Sequence, residues 1–507
     1  MFSLPAVQEF STLTLLSAGA SVLLGLLYLT LFPGKYQFPP GAPKLVSGQY
    51  PIIGASGFFT ARWDFFRNAI AQSPTGNFSF FLGKYPVVGL SGEIGRRVFF
   101  DSRELGFAEG YAVLFGQSPN SLHDNQDFEK SKELTGPGGF SSRTYTRMLK
   151  AENFVKSLPQ LRKDVQGSMN RLANDPSGIT DPFESIYRIV YQLTIRTVGC
   201  DDIAENPELL EKTLQLFETV EASATATTIL FPKFPSIGII KRTIAGGRLY
   251  MIIMKIVNER RKTGKRRDDP LQMLIDDDVE VEQIVTHIIG SLFAGLLNSG
   301  INSAWALAYL ATNPEWMGRV RDEINFVAQK YTSNPDAPLV EQLSEIPSDA
   351  WESEFPMMHL CLRDSIRLQL LGTAFRRNIS GRDVPVGDHE VIPPGAFVCF
   401  HVGDIHLNPD IYPEPTKWDP SRYLPDRAED KKVHYGWMGW GLGRHPCLGM
   451  RFAKLEQNMI TAYFIATFDY ELTDKDGQKV HDTPPVNFNS HTAEKPHQRV
   501  YLKYKKR

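Results

Sequence analysis

The sequence is expected to form a mainly α fold with minor β, preceded by a single N-terminal transmembrane helix. Three observations carry this: a charge-free apolar run over residues 11–32, apolar residues recurring at helical spacing through most of the chain, and short Val/Ile/Phe runs between Gly and Pro around residues 78–100 and 376–400. With 507 residues, 42% of them hydrophobic, a large core is available and overall disorder is excluded. The 55 Lys+Arg nearly cancel the 57 Asp+Glu, so no basic field exists for binding nucleic acid. Cys200, Cys361, Cys399 and Cys447 form no CxxC pair, which argues against a disulfide scaffold and against structural zinc.

The first element is STLTLLSAGASVLLGLLYLTLF, residues 11–32. About 20 apolar residues at a rise of about 1.5 Å cross a bilayer core. A secretory signal peptide is the alternative, but Glu9 precedes the run without any Lys or Arg, and the run is long for such a signal. Lys35 and Lys44 follow it, which places the body on the cytoplasmic side. Residues 1–34 therefore read as a membrane anchor, 35–54 with Pro39-Pro40 as a stiff linker, and 55–507 as one body.

Within the body, Phe78–Leu82, Tyr85–Leu90 and Arg97–Phe100 read as short strands, the first two joined at Gly83-Lys84. Residues 110–142 read as loop with short helical pieces. Helices are expected over 145–173, 181–198, 207–228, 248–262, 281–312, 316–330, 356–371 and 449–467. The 281–312 helix is apolar on nearly all sides and should run through the centre of the fold, closing at Asn313-Pro314. His287, Asn298, Ser299 and Asn302 argue against its being a second membrane span. The segment FPKFPSIGII, 231–240, is either an exposed apolar surface or a buried loop, and the basic stretch 259–267 is either a docking site for an acidic partner or a solvated helix end.

The chemistry concentrates in WGLGRHPCLG, Trp440 to Gly449. Cys447 follows a Gly-rich turn and a proline and stands just before a helix. The helix N-terminus and the freed amides stabilise a thiolate there. Such a cysteine is a nucleophile, a redox thiol, a single axial metal ligand or simply a small buried residue.

The loop resembles that of the cytochrome P450 haem-thiolate enzymes, with Trp440, Gly443, Cys447 and Gly449 at the family's spacing and Trp standing where Phe is usual. The resemblance implies the cytochrome P450 fold and haem b, its iron axially ligated by Cys447, whose electron push favours cleavage of the oxygen–oxygen bond. His445 stands where an arginine often contacts a haem propionate, and Arg444-His445 is similar to the loop of sterol 14-demethylases. A second likeness is Asp364-x-x-Arg367 with Arg422, similar to the family's Glu-x-x-Arg…Arg brace, with Asp one methylene shorter. Arg377, with Arg376 as alternative, matches a strand arginine on a propionate. Arg147, with Tyr145 as alternative, is the upstream counterpart.

The central helix departs from the pattern. Ala294 and Gly295 match the small pair that leaves room for the haem, but the acid–threonine pair that routes protons is Leu297-Asn298, followed by Ser299. Leucine carries no proton, whereas Asn298 and Ser299 offer hydrogen bonds. The resemblance implies a monooxygenase that inserts one atom of O2 into a lipophilic small molecule, fed by NADPH–cytochrome P450 reductase at the endoplasmic reticulum membrane. The substrate pocket is expected from 117–123, 217–230, 292–297, 371–375 and 486–489. The alternatives are a peroxide-using or rearranging enzyme of the same family and a haem protein without catalysis. The chain is most similar in style to filamentous-fungal members of secondary metabolism. Leu297-Asn298, where sterol enzymes carry His-Thr or His-Ser, argues against a sterol demethylase.

Overall fold

The computed structural model describes Gly19 and residues 36–114, 139–223, 225–231, 236–491 and 493–507. The expected anchor run and the 117–123 segment lie outside the described residues, apart from Gly19.

The helices of nine residues or more are α1 (Arg62–Gln72), α2 (Gly92–Asp101), α3 (Phe140–Met148), α4 (Ala151–Ala173), α5 (Pro182–Val198), α6 (Pro207–Ala222), α7 (Ile237–Thr263), α8 (Val281–Thr312), α9 (Pro314–Tyr331), α10 (Pro356–Gln369) and α11 (Met450–Thr467). The strands are β1 (Phe78–Leu82), β2 (Tyr85–Leu90), β3 (Leu105–Gly106), β4 (Ile179–Thr180), β5 (Thr373–Asn378), β6 (Val384–Val386), β7 (Glu390–Ile392), β8 (Phe397–His401), β9 (Phe468–Thr473) and β10 (Tyr501–Lys506). A five-stranded sheet runs in the order β1-β2-β8-β5-β3, a three-stranded one β4-β10-β9, and β6 pairs with β7. Mostly helical with minor β, the body matches the expected class.

Helix α8 forms because its long apolar sequence lacks proline until Pro314. It is the one helix among the described residues long and apolar enough to cross a membrane, yet most of it is buried in protein. Burying each large side chain contributes about 1.5–3 kcal/mol, so a core position satisfies the composition without lipid. Gly300 lets α5 cross closely: a Cβ there would lie 2.7 Å from the Tyr187 ring. Asn313 ends the helix, its Nδ2 donating to the Tyr309 carbonyl at 2.7 Å.

Four boundaries differ from expectation, one being the 207–228 helix, which ends at Ala222 as α6. Arg97–Phe100 is helical, part of α2, where Glu93 and Arg97 pair one turn apart at 2.6 Å and Arg96, Phe99 and Phe100 share a buried face. A short apolar run does not separate the two periods. The expected 145–173 helix breaks at Leu149-Lys150 into α3 and α4. Helix α7 begins at Ile237, well before residue 248, with Ile237, Ile240 and Ile244 exposed, which obscured the amphipathic pattern. The basic stretch after it is paired internally: Arg260 is buried against Asp202 and Asp269, Arg266 meets Asp276 at 2.6 Å and Arg267 meets Glu205 at 2.7 Å. These pairs leave little of it for an acidic partner.

Candidate active site

The cysteine loop is built by two glycines. Gly441 has φ +69°, and a Cβ there would lie 2.4 Å from the His445 carbonyl oxygen. Gly443 has φ +58°, and its Cβ would lie 2.4 Å from the Phe100 carbonyl oxygen. L-residues avoid this region, so both positions need glycine. The resulting turn lets Cys447 N–H donate to the Trp440 carbonyl at 2.7 Å and Arg444 N–H to that of Phe100 at 3.2 Å. Cys447 is exposed, while the other three cysteines are buried. The protein around the sulfur raises the thiol, and the N–H groups of Gly449 and Met450 at the start of α11 pull it back. Cys447 is the one cysteine presented for chemistry.

The four residues expected on the central helix point in different directions. Ala294 and Asn298, one turn apart, are exposed on a helix otherwise mostly buried, so they line an opening in the core. Asn298 Nδ2 donates to the Ala294 carbonyl at 2.9 Å. Gly295 instead faces α5, where a Cβ would touch Thr194 at 3.6 Å. Ser299 is buried on the side of the helix toward Glu456 of α11.

The basic candidates separate in the same way. Successive side chains on β5 alternate faces. Arg376 is buried between the Phe99 and Phe107 rings, 4.8 Å from each centroid, and Phe107 stacks on His445 at 5.0 Å. Among the described residues no carboxylate pairs with Arg376, and burial lowers its pKa to about 10. His445 is pushed down to about 4 by burial and by the Arg376 and Arg444 charges. Arg377 faces away, its Nε donating to the Gly395 carbonyl at 3.2 Å beside the Phe397 ring. The cationic place beside the loop therefore belongs to Arg376. Arg147 is also turned away, pairing with Asp277 at the surface, and Tyr145 accepts from Ser291 Oγ at 2.9 Å against α8. Trp440 is half-buried, with an indole N–H that has no partner among the described residues.

The brace forms, with different partners from those expected. Asp364 and Arg367 are fully buried and meet at 2.6 Å. Burial opposes the Arg367 charge, but Asp364 holds that guanidinium well above its ordinary value. Arg422 does not reach Asp364; it pairs with Glu429 at 2.9 Å. The Asp364 carboxylate is completed by Tyr423 Oη at 2.9 Å and Asp419 N–H at 2.6 Å. Both arginines donate to the Lys417 carbonyl, Arg367 at 2.9 Å and Arg422 at 3.2 Å. Arg367 also donates to the His406 carbonyl at 3.0 Å, and His406 Nε2 accepts from Met438 N–H at 3.0 Å. This chain of bonds fixes the segment leading into the cysteine loop. Tyr423, Glu429 and Glu456 escaped the sequence reading. Glu456 stands among Lys454, Gln457 and Asn458, so no local signal marked it.

An exposed thiol with amides aimed at its sulfur, a buried guanidinium paired with no carboxylate among the described residues and a small exposed residue on the core helix suit a flat apolar group with acidic side arms. The Cytochrome P450 family profile matches residues 46–498. The chain is 35% identical over 477 residues to cytochrome P450 monooxygenase AacuE of Aspergillus aculeatus, covering 93% of this chain and 94% of that one. It is 34% identical to cytochrome P450 monooxygenase nsrP of Aspergillus novofumigatus, covering 90% and 89%. A solved structure, retinoic acid bound cyanobacterial CYP120A1, shares the fold with a TM-score of 0.67 at 20% identity, over 92% of this chain and 99% of that one. Haem b with an axial cysteine thiolate defines this family, and Cys447 is the residue that fits that role. The chain belongs to the cytochrome P450 family and is a haem-thiolate monooxygenase.

Proposed function

We propose that this enzyme inserts one oxygen atom from O2 into a lipophilic fungal secondary metabolite, with electrons from NADPH–cytochrome P450 reductase. The observation that carries the reading is near full-length similarity to fungal monooxygenases at 35% identity. In this reading residues 1–34 anchor the chain in the endoplasmic reticulum membrane, 35–54 form the linker and 55–507 face the cytosol as the catalytic domain. Exposed Ile237, Ile240 and Ile244 on α7 supply a further apolar surface for that membrane.

When bound, haem activates dioxygen for insertion. The chain's own residues do the remainder. Cys447 would hold the iron, with the Gly449 and Met450 amides tempering the sulfur's charge. Arg376 and His445 would hold the propionates, and Gly443 sets the loop in which the Trp440 carbonyl receives the Cys447 N–H. Ala294, small and exposed, would leave room for the group on the central helix, while Asn298 offers the remaining hydrogen-bonding capacity of its amide to oxygen or substrate.

Leu297-Asn298 supports a second reading, an enzyme that rearranges or consumes a peroxide and needs no proton relay. A carbon monoxide difference spectrum separates the two. The red-shifted thiolate band under both NADPH–reductase and chemical reduction supports the monooxygenase. A band on chemical reduction alone, with turnover of an added peroxide, overturns it.

A further inference from the structure

Burying a guanidinium is costly unless an anion neutralises it. Seven arginines are buried among the described residues. Arg196, Arg260, Arg367 and Arg422 are ion-paired, and Arg96 lies in the field of Asp404 and Glu93. Arg376 holds the cationic place beside the cysteine loop. That leaves Arg62, the first residue of α1 and 5% exposed. Its Nε donates to the Phe58 carbonyl at 3.0 Å, and its guanidinium lies over the Phe58 ring at 4.1 Å. No carboxylate pairs with it among the described residues, and burial lowers its pKa to about 9. The next acid on the helix, Asp64, is taken by Arg67 and by Asn489 Nδ2 at 2.9 Å.

The sheet face against α1 adds donors without an acceptor. Thr373 on β5 and His401 on β8 lie opposite each other, so their side chains share a face with Phe375 and Cys399. His401 packs on α1, 5.0 Å from the Trp63 ring and 5.1 Å from that of Phe66, and the Arg62 charge acts on both His401 and Cys399. His401 Nδ1 accepts from Gly403 N–H at 3.0 Å, so the proton of the neutral ring is on Nε2. That N–H has no partner among the described residues, and neither has Thr373 Oγ1. Both residues are more than nine-tenths buried. His491 is exposed, with Nε2 3.0 Å from the Phe59 carbonyl, and it too feels the Arg62 charge, which marks the side open to solvent. One uncompensated cation and two unused donors therefore stand on the facing sides of the contact between α1 and the sheet.

We propose that Arg62, Thr373 and His401 form a subsite for the carboxylate of a lipophilic acid, and that this acid is the enzyme's substrate. A carboxylate brings the negative charge that Arg62 lacks, with lone pairs to spare for the His401 Nε2–H and the Thr373 hydroxyl. The surroundings are aromatic, with the Phe58 and Phe375 rings 6.3 Å apart, so the remainder of the ligand is apolar. A phosphate would bring more charge than one guanidinium neutralises. Thr373 and Arg376 are three residues apart on β5 and face opposite ways, about 10 Å along the strand. The subsite is thus distinct from the cationic place beside the cysteine loop. That the acid is oxidised rests on the monooxygenase reading, whereas its binding at Arg62 does not.

The test measures equilibrium binding of octanoate, dodecanoate and hexadecanoate to full-length holoenzyme, each against its methyl ester. At least one acid should bind the wild type about 10- to 100-fold more tightly than its ester, as a charge-assisted hydrogen bond allows. Arg62→Gln should abolish that preference and Arg62→Lys keep part of it, while Thr373→Val reduces it by about threefold to tenfold. Without ligand, Arg62→Gln should melt at the same temperature as the wild type or higher, because its charge has no partner to lose. Variants are compared only when they keep the carbon monoxide band of the thiolate-bound haem. Equal binding of every acid and its ester by the wild type, or a preference that survives in Arg62→Gln, overturns the subsite. An Arg62→Gln variant that melts markedly lower makes Arg62 a structural residue and overturns it as well. An Arg62-dependent preference that leaves the haem absorption band unmoved overturns the assignment of the acid as substrate. Absence of any NADPH-driven reduction of the wild type refutes the monooxygenase reading, and the preference for acid over ester then still decides the subsite.

Discussion

Replacing Asp364 by Asn preserves volume and removes one charge from a pair with both side chains 0% exposed. Four donors converge on the carboxylate: Arg367 Nε at 2.6 Å and Tyr423 Oη at 2.9 Å on Oδ1, and Asp419 N–H at 2.6 Å and Arg367 Nη2 at 3.3 Å on Oδ2. An amide offers one oxygen to these donors and turns its own N–H2 against the rest. Arg367 keeps its bonds to the His406 and Lys417 carbonyls, so it cannot swing out to water. Stranding a buried guanidinium costs about 3–5 kcal/mol, a large part of a net stability of about 5–15 kcal/mol. Urea unfolding of the holoenzyme, followed by tryptophan fluorescence and the haem band, should show a lower midpoint at unchanged slope. Asp364→Glu restores the residue usual in the family but adds a methylene where two donors already sit at 2.6 Å. Its cost should be about 1–3 kcal/mol, smaller than that of Asn. A loss below about 1 kcal/mol for Asn, or a larger loss for Glu than for Asn, refutes the view that charge pairing governs this site.

Other substitutions test the loop and its surroundings. Gly443→Ala forces a left-handed residue into the Phe100 carbonyl, where the Cβ would lie at 2.4 Å, so most of the protein should lose the thiolate carbon monoxide band; a normal band contradicts the strain argument. Arg376→Gln should weaken haem retention by about tenfold, the effect of losing one charge-assisted hydrogen bond, while Arg377→Gln stays within about twofold. Equal losses in a haem-transfer assay would defeat the assignment by strand face. Buried His406 is held neutral, its pKa lowered from 6.5 to about 3 by burial and by Arg367. The unfolded chain therefore binds the extra proton, and this contribution to stability is lost as pH falls from about 6.5 toward 3. Unfolding free energies measured at successive pH values should fall less steeply on the acid side in His406→Gln, and an unaltered slope rules out His406 as a source of acid lability.

Local pattern was enough to read several features. The bounds of α8 follow from an uninterrupted apolar helix stopped at Asn313-Pro314, and β1 and β2 from short β-favouring runs about a two-residue turn. Cys447 and its glycines are legible because ligation and loop geometry are set within a few residues of each other. The Asp364–Arg367 pair belongs with them, as i,i+3 neighbours on one helix.

Other features depend on how distant segments pack. Adjacent residues on a strand face opposite ways, so choosing between Arg376 and Arg377 requires knowing which face of β5 meets the loop. The same limit applies to Ala294, Gly295, Asn298 and Ser299, since a helix all round apolar has no single face marked for the cleft. Arg422 finds Glu429, and Asp364 finds Tyr423, because of the path of the 413–431 segment. Ser299 and Glu456 are 157 residues apart and meet only where α8 and α11 pack together. Chemistry carried by neighbours along the chain is written in local spacing, whereas a buried acid brought beside a distal serine exists only once two helices have docked.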